Sequence, residues 1–232
     1  MRVAALYDVH GNLPALEAVL ADVPDDAVIV VGGDVAAGPF PAETLERLRA
    51  LGERVRWLRG NADRELTPGE EELAPPEALE WVPDVLGWLR SRLHPEQLAF
   101  LHGLPPTVEL DIDGLGHVLF CHATPRNDVD IFTERTPEER ISPWFAGVSA
   151  DLVVCGHTHT QFERRIAGIR VVNAGSVGMA YENSPGAYWT LLGPGVARYS
   201  ALYDLDTGDY PDKWPASSRE EAVEHFERFA GG

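Results

Sequence analysis

Residues able to bind a metal ion follow five short apolar runs of the sequence. They are Asp, His and Asn side chains at Asp8, His10, Asp34, Asn61, His122, His157 and His159. Carboxylates, an amide oxygen and imidazoles together suit Mn²⁺, Fe²⁺, Zn²⁺ or Ni²⁺ better than a metal that selects thiolates. Seven ligands are too many for one ion, but they are the right number for two ions that share one carboxylate. The sequence therefore predicts a site for two divalent metal ions.

Hydrophobic patterning indicates the elements that position these residues. Short apolar runs alternate with amphipathic segments, which is typical of an α/β architecture. The runs predict strands at Val3–Tyr7, Ala27–Val31, Val55–Leu58, Val118–Cys121, Leu152–Cys155, Ile169–Val172 and Ala187–Leu192. The candidate ligands follow the first five of these strands. Because ligands of open α/β sheets bind where the loops at the carboxyl ends of strands converge, we expect these side chains to meet in one crevice.

Helix signals complete the outline of the fold. Asn12 can cap a helix that has Pro14 in its first turn, and a further helix is predicted over about Pro83–Leu93. Ser218 opens a capping box for a C-terminal helix within residues 217–230, whose buried side would carry Val223, Phe226 and Phe229. We predict a single domain over residues 1–232, with residues 64–106 as a candidate lid.

The charge of the chain argues against a nucleic-acid polymer as its partner. The 232 residues include 19 Lys and Arg against 37 Asp and Glu, a formal net charge of −18, and such a chain repels a phosphate backbone. No run approaches 18 apolar residues, so no membrane span is expected. Cys121 and Cys155 do not indicate a disulfide framework, and the expected location is the reducing cytoplasm. The sequence does not decide whether the protein forms a homo-oligomer.

Each motif has an ordinary structural explanation when it is taken alone. A single Asp after a strand usually caps a turn or a helix, and Gly-Asn is a common turn dipeptide. An H-x-H spacing can arise by chance among eight histidines. The occurrence of all five patterns in register with five strand ends is what favours a metal site over these explanations.

The order of these motifs resembles that of the calcineurin-like metallophosphoesterases. The series D-x-H, G-D, G-N, a single His after a strand, and G-H-x-H occurs here in the order of that family. The runs Asp8–Leu16 (DVHGNLPAL) and Val172–Gly178 (VNAGSVG) look like its small prokaryotic phosphodiesterase-like subgroup. The resemblance extends from Val3 to about Tyr203. It implies an α/β fold of four layers, an αββα sandwich of two mixed β-sheets flanked by helices.

The resemblance also implies a role for each candidate ligand. The first metal ion would be held by Asp8, His10, Asp34 and His159. The second would be held by the bridging Asp34 together with Asn61, His122 and His157. The implied mechanism is the general two-metal scheme, in which ions about 3.5–4 Å apart hold a bridging hydroxide that attacks phosphorus. Asp34 and Asn61 are therefore also candidate catalytic residues. Mn²⁺ is the expected cofactor, and Fe²⁺, Zn²⁺ or Ni²⁺ are the alternatives.

One position departs from the family pattern. The family commonly has His after the Asn of G-N, where this chain has Ala62, and that His is usually assigned to transition-state stabilisation or to protonation of the leaving group. Asp63 could serve as an acid instead, or it could be a cap or the partner of Arg64. Arg126 could contact the substrate phosphate through its guanidinium, although a structural ion pair would explain it equally.

The sequence thus predicts an enzyme, a phosphoesterase that depends on two metal ions. The subgroup resemblance and Ala62 favour phosphodiesters over monoesters, and the charge favours small, nucleotide-like substrates over polymers. Two alternatives remain open. The chain could be a metal-binding interaction module with weakened catalysis, or it could be a phosphomonoesterase whose acid has moved to another residue.

Overall fold

The computed structural model describes residues 1–67, 82–205, 218–228 and 230. Within these ranges the chain forms ten strands, namely β1 (Val3–Leu6), β2 (Val28–Gly32), β3 (Val55–Leu58), β4 (Thr107–Ile112), β5 (Gly116–Cys121), β6 (Leu152–Cys155), β7 (Gln161–Ile166), β8 (Ile169–Ala174), β9 (Ala187–Leu192) and β10 (Val196–Ala201). The helices of the same ranges are α1 (Leu13–Asp22), α2 (Pro41–Arg49), α3 (Asn61–Glu65), α4 (Val82–Arg92), α5 (Pro95–His102), α6 (Glu138–Ile141) and α7 (Arg219–Glu227). Short 3₁₀ helices occur at Gly52–Arg54 and Ser142–Phe145.

The strands form two mixed sheets of five strands each. The first sheet has the order β10-β9-β1-β2-β3, and the second has the order β4-β5-β6-β8-β7. In the first sheet β1, β2 and β3 are parallel, while β9 and β10 run antiparallel to their neighbours. In the second sheet β5, β6 and β8 are parallel. The parallel strands β1 and β2 lie inside the first sheet and β3 at its edge, while β5, β6 and β8 lie at the centre of the second sheet. All five strands that precede candidate ligands are parallel strands.

Side chains alternate between the two faces of each sheet and so divide the molecule into layers. In β1, Val3 and Ala5 pack between the sheets against Phe120 of β5, whereas Ala4 and Leu6 face outward. The outward face of the first sheet is covered by buried residues of α1, α2, α4 and α5. The outward face of the second sheet packs against Ile141 of α6. The fold is therefore the expected four-layer α/β sandwich.

The local signals at two helix starts work as the sequence predicts. The Asn12 side chain accepts a hydrogen bond from the Ala15 backbone N–H at 3.1 Å, with Pro14 in the first turn of α1. The Ser218 hydroxyl accepts one from the Glu221 N–H at 3.3 Å at the start of α7. Each cap satisfies a backbone donor that has no partner within its own helix.

Parts of the expected organisation lie outside the described residues. These are residues 68–81 of the candidate lid and Phe229 of the C-terminal helix. Of residues 64–106, helices α4 and α5 contribute Leu89 and Leu101 to the core outside the first sheet. The lid stays a prediction for the remainder. Within the described ranges, no helix has both the length and the apolar character that a membrane crossing requires.

Candidate metal centre

The seven candidate ligands converge at one edge of the sandwich. The parallel strands β1, β2 and β3 of the first sheet are followed by Asp8, His10, Asp34 and Asn61. The parallel strands β5 and β6 of the second sheet are followed by His122, His157 and His159. Because parallel strands direct their carboxyl ends to the same side, each sheet presents its ligands at a single edge. The packing of one sheet on the other then brings these two edges together.

Asp8, His10 and His159 form the first of two ligand groups. The His159 Nε2 atom lies 3.3 Å from Asp8 Oδ1, and the His10 Nε2 atom lies 3.9 Å from that same oxygen. The Nε2 atoms of His10 and His159 are 3.1 Å apart. Neighbouring ligands on an ion with bonds of about 2.1 Å are separated by about 3–3.5 Å, so this spacing fits one divalent ion.

Asp34, His122 and His157 form the second group, which Asn61 joins. The His122 Nε2 atom lies 3.4 Å from Asp34 Oδ2 and 3.2 Å from Asn61 Oδ1. The rings of His122 and His157 lie edge to face, with their centroids 5.0 Å apart. This group contains a carboxylate, an amide oxygen and two imidazoles, which is a suitable donor set for a borderline divalent ion.

The Asp34 carboxylate lies between the two groups. Its Oδ2 atom is 3.4 Å from His122 Nε2 and 3.9 Å from His10 Nε2, so a single oxygen faces ligands of both groups. Its Oδ1 atom is held by a 2.8 Å hydrogen bond from the backbone N–H of Ala62. One oxygen is thus used to orient the carboxylate, and the other is directed to the position that a bridging ligand requires.

Two buried atoms of the centre are consistent with metal ions. Asp8 Oδ1 and His157 Nε2 are among the buried side-chain atoms of the described residues that make no hydrogen bond. A buried acceptor without a partner is costly, and buried polar atoms are almost always satisfied by a hydrogen bond, an ordered water or an ion. Both atoms belong to the two ligand groups, so a divalent ion in each group would satisfy them.

Backbone carbonyls orient three of the four imidazoles. His10 Nδ1 lies 3.0 Å from the Ala37 oxygen, His122 Nδ1 lies 2.9 Å from the Gly32 oxygen, and His159 Nδ1 lies 2.7 Å from the Met179 oxygen. When Nδ1–H donates to a carbonyl, the proton stays on that nitrogen and Nε2 keeps its lone pair for a metal. The three Nε2 atoms all face the interior of the centre.

The backbone at the candidate ligands is conformationally unusual. Among the described residues other than Gly, positive φ angles occur at Ala167 and at five candidate ligands, namely Asp8, His10, Asp34, His157 and His159, whose φ angles range from 47° to 68°. The left-handed region costs an L-residue about 1–2 kcal/mol. Such strain is concentrated at functional sites, where the surrounding structure holds residues in conformations that they would otherwise avoid.

Glycines allow the ligand loops to approach one another closely. A Cβ atom on Gly60 would lie 2.1 Å from Asp34 Oδ1, and a Cβ atom on Gly156 would lie 2.4 Å from Asp8 Oδ2. Neither distance is compatible with a side chain unless the carboxylate moves. The Gly residues of the G-N and G-H-x-H motifs are therefore required for space next to the two carboxylates.

Side chains of the run Val172–Gly178 hold the ligand loops in place by hydrogen bonds. The Asn173 side chain donates to the backbone oxygen of Gly156 at 2.7 Å and lies 3.1 Å from Thr158 Oγ1. The Ser176 hydroxyl donates to the Asp8 backbone oxygen at 2.8 Å. This part of the subgroup motif thus holds the loop of His157 and His159 against the loop of Asp8.

Burial and charge act against each other at the ligands. Burial disfavours the charged forms of Asp8 and Asp34, but the neighbouring imidazoles outweigh burial and lower the pKa of both carboxyls. Burial likewise lowers the pKa of His122, but the negative charge of Asp34 outweighs it and raises that pKa to about 10. Burial together with the adjacent His122 lowers the pKa of His157 to about 4.

The Asp63 carboxylate links two loops of the site by hydrogen bonds. Its Oδ1 accepts from the Val35 N–H at 2.9 Å, and its Oδ2 accepts from the Gly60 N–H at 3.1 Å. It thereby joins the loops that follow β2 and β3. Burial, with the nearby charge of Asp34, raises the pKa of Asp63 to about 7. Of the roles that the sequence left open, the structure shows a cap, because Gly60 is the residue before α3 and its N–H is bound by Asp63. The Arg64 guanidinium contacts Asp128 instead, at 2.9 Å.

Arg126 is held in a structural contact. Its Nε atom lies 2.5 Å from Asp130 Oδ2 and its Nη2 atom lies 2.6 Å from Asp130 Oδ1. Its guanidinium also lies over the Trp144 ring, 4.6 Å from the centroid. The structure therefore shows the ion pair that the sequence left as an alternative to a phosphate contact. Because Arg126 and Asp130 lie in the loop after β5 and not in a helix, their spacing gave no signal of this pair.

Comparisons with known proteins agree with this geometry. A family model described as the calcineurin-like phosphoesterase superfamily domain matches residues 1–192. The uncharacterized protein MJ0912 of Methanocaldococcus jannaschii is 29% identical over 178 residues, which are 75% of this chain and 69% of that protein. Phosphodiesterase YfcE of Escherichia coli is 26% identical over 147 residues, which are 56% of this chain and 75% of that protein.

A solved structure with the same fold is the metallophosphoesterase from Sphaerobacter thermophilus. It superimposes with a TM-score of 0.69 at 26% identity and covers 88% of this chain and 89% of that chain. The family model spans most of this chain and includes all seven candidate ligands. This chain therefore belongs to the calcineurin-like phosphoesterase superfamily.

Proposed function

We propose that this protein hydrolyses small phosphodiesters with the help of two divalent metal ions. The observation that carries the proposal is the position of Asp34, whose Oδ2 atom faces His122 at 3.4 Å and His10 at 3.9 Å. Only a carboxylate between two ligand groups can be shared by two ions. The oxygen and imidazole donors of both groups suit Mn²⁺, Fe²⁺, Zn²⁺ or Ni²⁺, and we propose Mn²⁺.

Seven side chains would hold the two metal ions, and backbone carbonyls would orient three of the imidazoles. One ion would be held by Asp8, His10 and His159 and the other by Asn61, His122 and His157, with Asp34 shared. When bound, two such ions activate water at neutral pH and stabilise charge on a phosphoryl group. The backbone carbonyls behind His10, His122 and His159 would keep each imidazole in place during turnover.

The residues near Asn61 favour diesters with good leaving groups. Ala62 offers no proton, and Asp63 uses both of its oxygens to accept backbone hydrogen bonds. A leaving group that is stable without protonation avoids the need for a general acid, a contribution that is typically worth 10²–10⁴-fold. YfcE, which is described as a phosphodiesterase, supports the same preference.

The overall charge favours a small substrate. The formal net charge of −18 opposes association with long nucleic acids, whereas a small ester would be drawn to the metal ions directly. A nucleotide-like phosphodiester fits these conditions. The cytoplasmic location and the oligomeric state stay predictions.

The test is ester hydrolysis by chelator-treated protein before and after the addition of Mn²⁺. We expect Mn²⁺ to restore cleavage of bis(p-nitrophenyl) phosphate well above that of p-nitrophenyl phosphate. Asp34→Asn should bind fewer than two ions per chain and lose this activity. Asp26→Asn is the matched control, since Asp26 is an exposed carboxylate paired with Arg2.

Three other results would contradict the proposal. Wild-type activity in Asp34→Asn would exclude a shared carboxylate. A higher rate on the monoester would favour a monoesterase with an acid elsewhere in the chain. Uptake of two ions without turnover of either ester would favour an interaction module.

A further inference from the structure

The imidazole of His159 is supported by an aromatic ring that the metal-ligand motifs do not include. The Tyr181 ring stacks on His159 with centroids 4.8 Å apart and an interplanar angle of 19°. The backbone N–H of Tyr181 also donates to the His159 backbone oxygen at 3.1 Å. The Met179 oxygen, two residues earlier, faces His159 Nδ1 at 2.7 Å. One short segment thus contacts His159 in the plane of its ring and on its face.

Helix α7 packs behind this tyrosine. The Phe226 ring lies 6.2 Å from the Tyr181 ring, and the two side chains form a small buried cluster with Ala222. The His159 ring also contacts the ring of His10, which is tilted by 55° with its centroid 4.8 Å away. A continuous series of ring contacts, here named the aromatic stack, therefore runs from α7 to the first ligand group, with parallel stacking at Tyr181 and His159. Its members are Phe226, Tyr181, His159 and His10.

An arginine at the start of α7 clamps the helix to the same segment. Arg219 Nη1 donates to Glu182 Oε2 at 2.6 Å, directly after Tyr181 in the chain. Arg219 Nη2 donates to Glu134 Oε2 at 2.7 Å and to the Gln161 backbone oxygen at 2.9 Å. Glu182 in turn accepts from the Gln161 N–H at 2.6 Å. Arg219 thereby links α7 to Gln161, close to His159 in the chain, and to Glu182, which follows Tyr181.

Helix α7 lies beyond residues 1–192, the part of the chain that the family model matches. We propose that α7, acting through Tyr181, holds His159 in its metal-binding orientation and so sets the affinity of the first ligand group. The torsion that turns an imidazole about its own axis has broad minima, so a ring without a packed neighbour turns easily. Losing a hydrogen-bonded partner of a ligating His typically weakens metal affinity by 10–100-fold, and we expect an effect of the same order when the stacked ring is lost.

This inference rests on the proposed function, because it assumes two metal ions with separate ligand groups. It makes Tyr181 and Phe226 positioning residues, since neither ring belongs to the two ligand groups. We expect the loss of metal affinity to be confined to one of the two ions. Weakening the aromatic stack should lower affinity for one ion, while the ion held by Asn61, His122 and His157 stays bound.

The test is calorimetric titration of metal-free protein with Mn²⁺, which reports the number of ions bound and the affinity of each. We expect Tyr181→Leu and Phe226→Leu to weaken one of two equivalents by about 10–100-fold and to leave the other within about threefold. Tyr181→Phe keeps the ring and should bind both ions like wild type. Phe100→Leu is the control for lost aromatic packing, because Phe100 packs on Trp57 in a different cluster.

A milder variant covers the case in which the leucine variants do not fold. Arg219→Gln removes the clamp without removing a core side chain, and we expect it to weaken the same single equivalent. Arg47→Gln is its control, because Arg47 forms a comparable ion pair with Glu17. Circular dichroism melting of every variant shows which proteins are folded at the titration temperature.

The outcomes separate this inference from the proposed function. Wild-type protein that takes up fewer than two ions would overturn both. Wild-type protein with two ions, and folded variants with unchanged affinities, would overturn only the role of α7. Equal weakening of both equivalents would also overturn it, since that pattern indicates general destabilisation.

Discussion

Replacement of Gly60 by Ala tests whether Asp34 must stay where the structure has it. Gly60 has φ −96° and ψ 175°, which an alanine adopts without strain, so any effect comes from space alone. The added Cβ would lie 2.1 Å from Asp34 Oδ1, and ordinary contact begins at 3.4 Å. The shortfall is about 1.3 Å, from 3.4 − 2.1, and the loops of Gly60 and Asp34 must separate to relieve it.

The expected effects follow from that displacement. Overpacking of a well-packed site costs about 1–3 kcal/mol of stability. A shift of about 1 Å in a catalytic group can lower activity by about 100-fold. We therefore expect Gly60→Ala to bind metal less tightly and to cleave bis(p-nitrophenyl) phosphate about 100 times more slowly, in steady-state assays with saturating Mn²⁺.

Gly87→Ala makes the same chemical change at a neutral position. Gly87 lies in α4, and a Cβ atom there would have nothing within 4 Å. Alanine in an exposed helix is favoured over glycine by about 0.5–1 kcal/mol, so this control should gain stability in urea unfolding and keep full activity. Gly60→Ala with wild-type turnover and metal content would refute the assigned position of the Asp34 carboxylate.

Three further predictions follow from the site. Ala62→His should raise turnover of phenyl phosphate, a monoester with a poor leaving group, by up to about 100-fold, because it adds a proton donor beside Asn61; product release measures it, and an unchanged rate would refute the role assigned to this position. Arg126→Ala should leave KM for the diester within about twofold, because Asp130 and Trp144 already engage its guanidinium; a tenfold rise would show a phosphate contact. Removal of metal by a chelator should lower the melting temperature, since ligand at 100 times its Kd stabilises the native state by about 2.7 kcal/mol; scanning calorimetry with and without Mn²⁺ decides it, and an unchanged melting temperature would contradict the metal site.

The six central strands and the edge strand β3 could be predicted from sequence, whereas the other three edge strands could not. The predicted strand at Val55–Leu58 has the observed bounds of β3, and Leu152–Cys155 has those of β6. Strands β4, β7 and β10 lie at sheet edges and went unpredicted. Edge strands bury fewer side chains, as in β10, where four consecutive residues are exposed. A short segment of this kind carries no continuous apolar run.

In the site, the metal-binding side chains could be predicted from sequence, whereas the groups that orient them could not. Asp, His and Asn carry a visible signal because few residue types bind metals, and their positions after strands place them together. The carbonyls that orient His10 and His159 belong to Ala37 and Met179, whose side chains have no part in the contact. No sequence pattern marks a backbone oxygen. The contact between Tyr181 and Phe226 joins distant parts of the chain, so only the folded structure shows it.

Asp63 illustrates why a titratable residue beside a motif can be misjudged. From sequence, a carboxylate next to the position of the missing imidazole is a reasonable acid. In the structure, its two oxygens accept from the N–H groups of Gly60 and Val35, which flank the loops of the second ligand group. An oxygen that accepts from a backbone donor is oriented toward the protein. The demand of buried backbone N–H groups for partners explains the capping contacts of Asp63, and its role as an acid stays a prediction.

Hydrogen bonds from other parts of the chain hold the strained backbone at the ligands. Asp8 keeps its left-handed backbone because Ser176 Oγ and the Gly178 N–H both donate to its carbonyl oxygen, at 2.8 and 2.9 Å. The backbone N–H of His10 donates to the backbone oxygen of Asp34 at 2.8 Å, which joins two strained ligands directly. Because the surrounding hydrogen bonds fix these residues, a left-handed conformation that costs about 1–2 kcal/mol at each can persist in the folded protein.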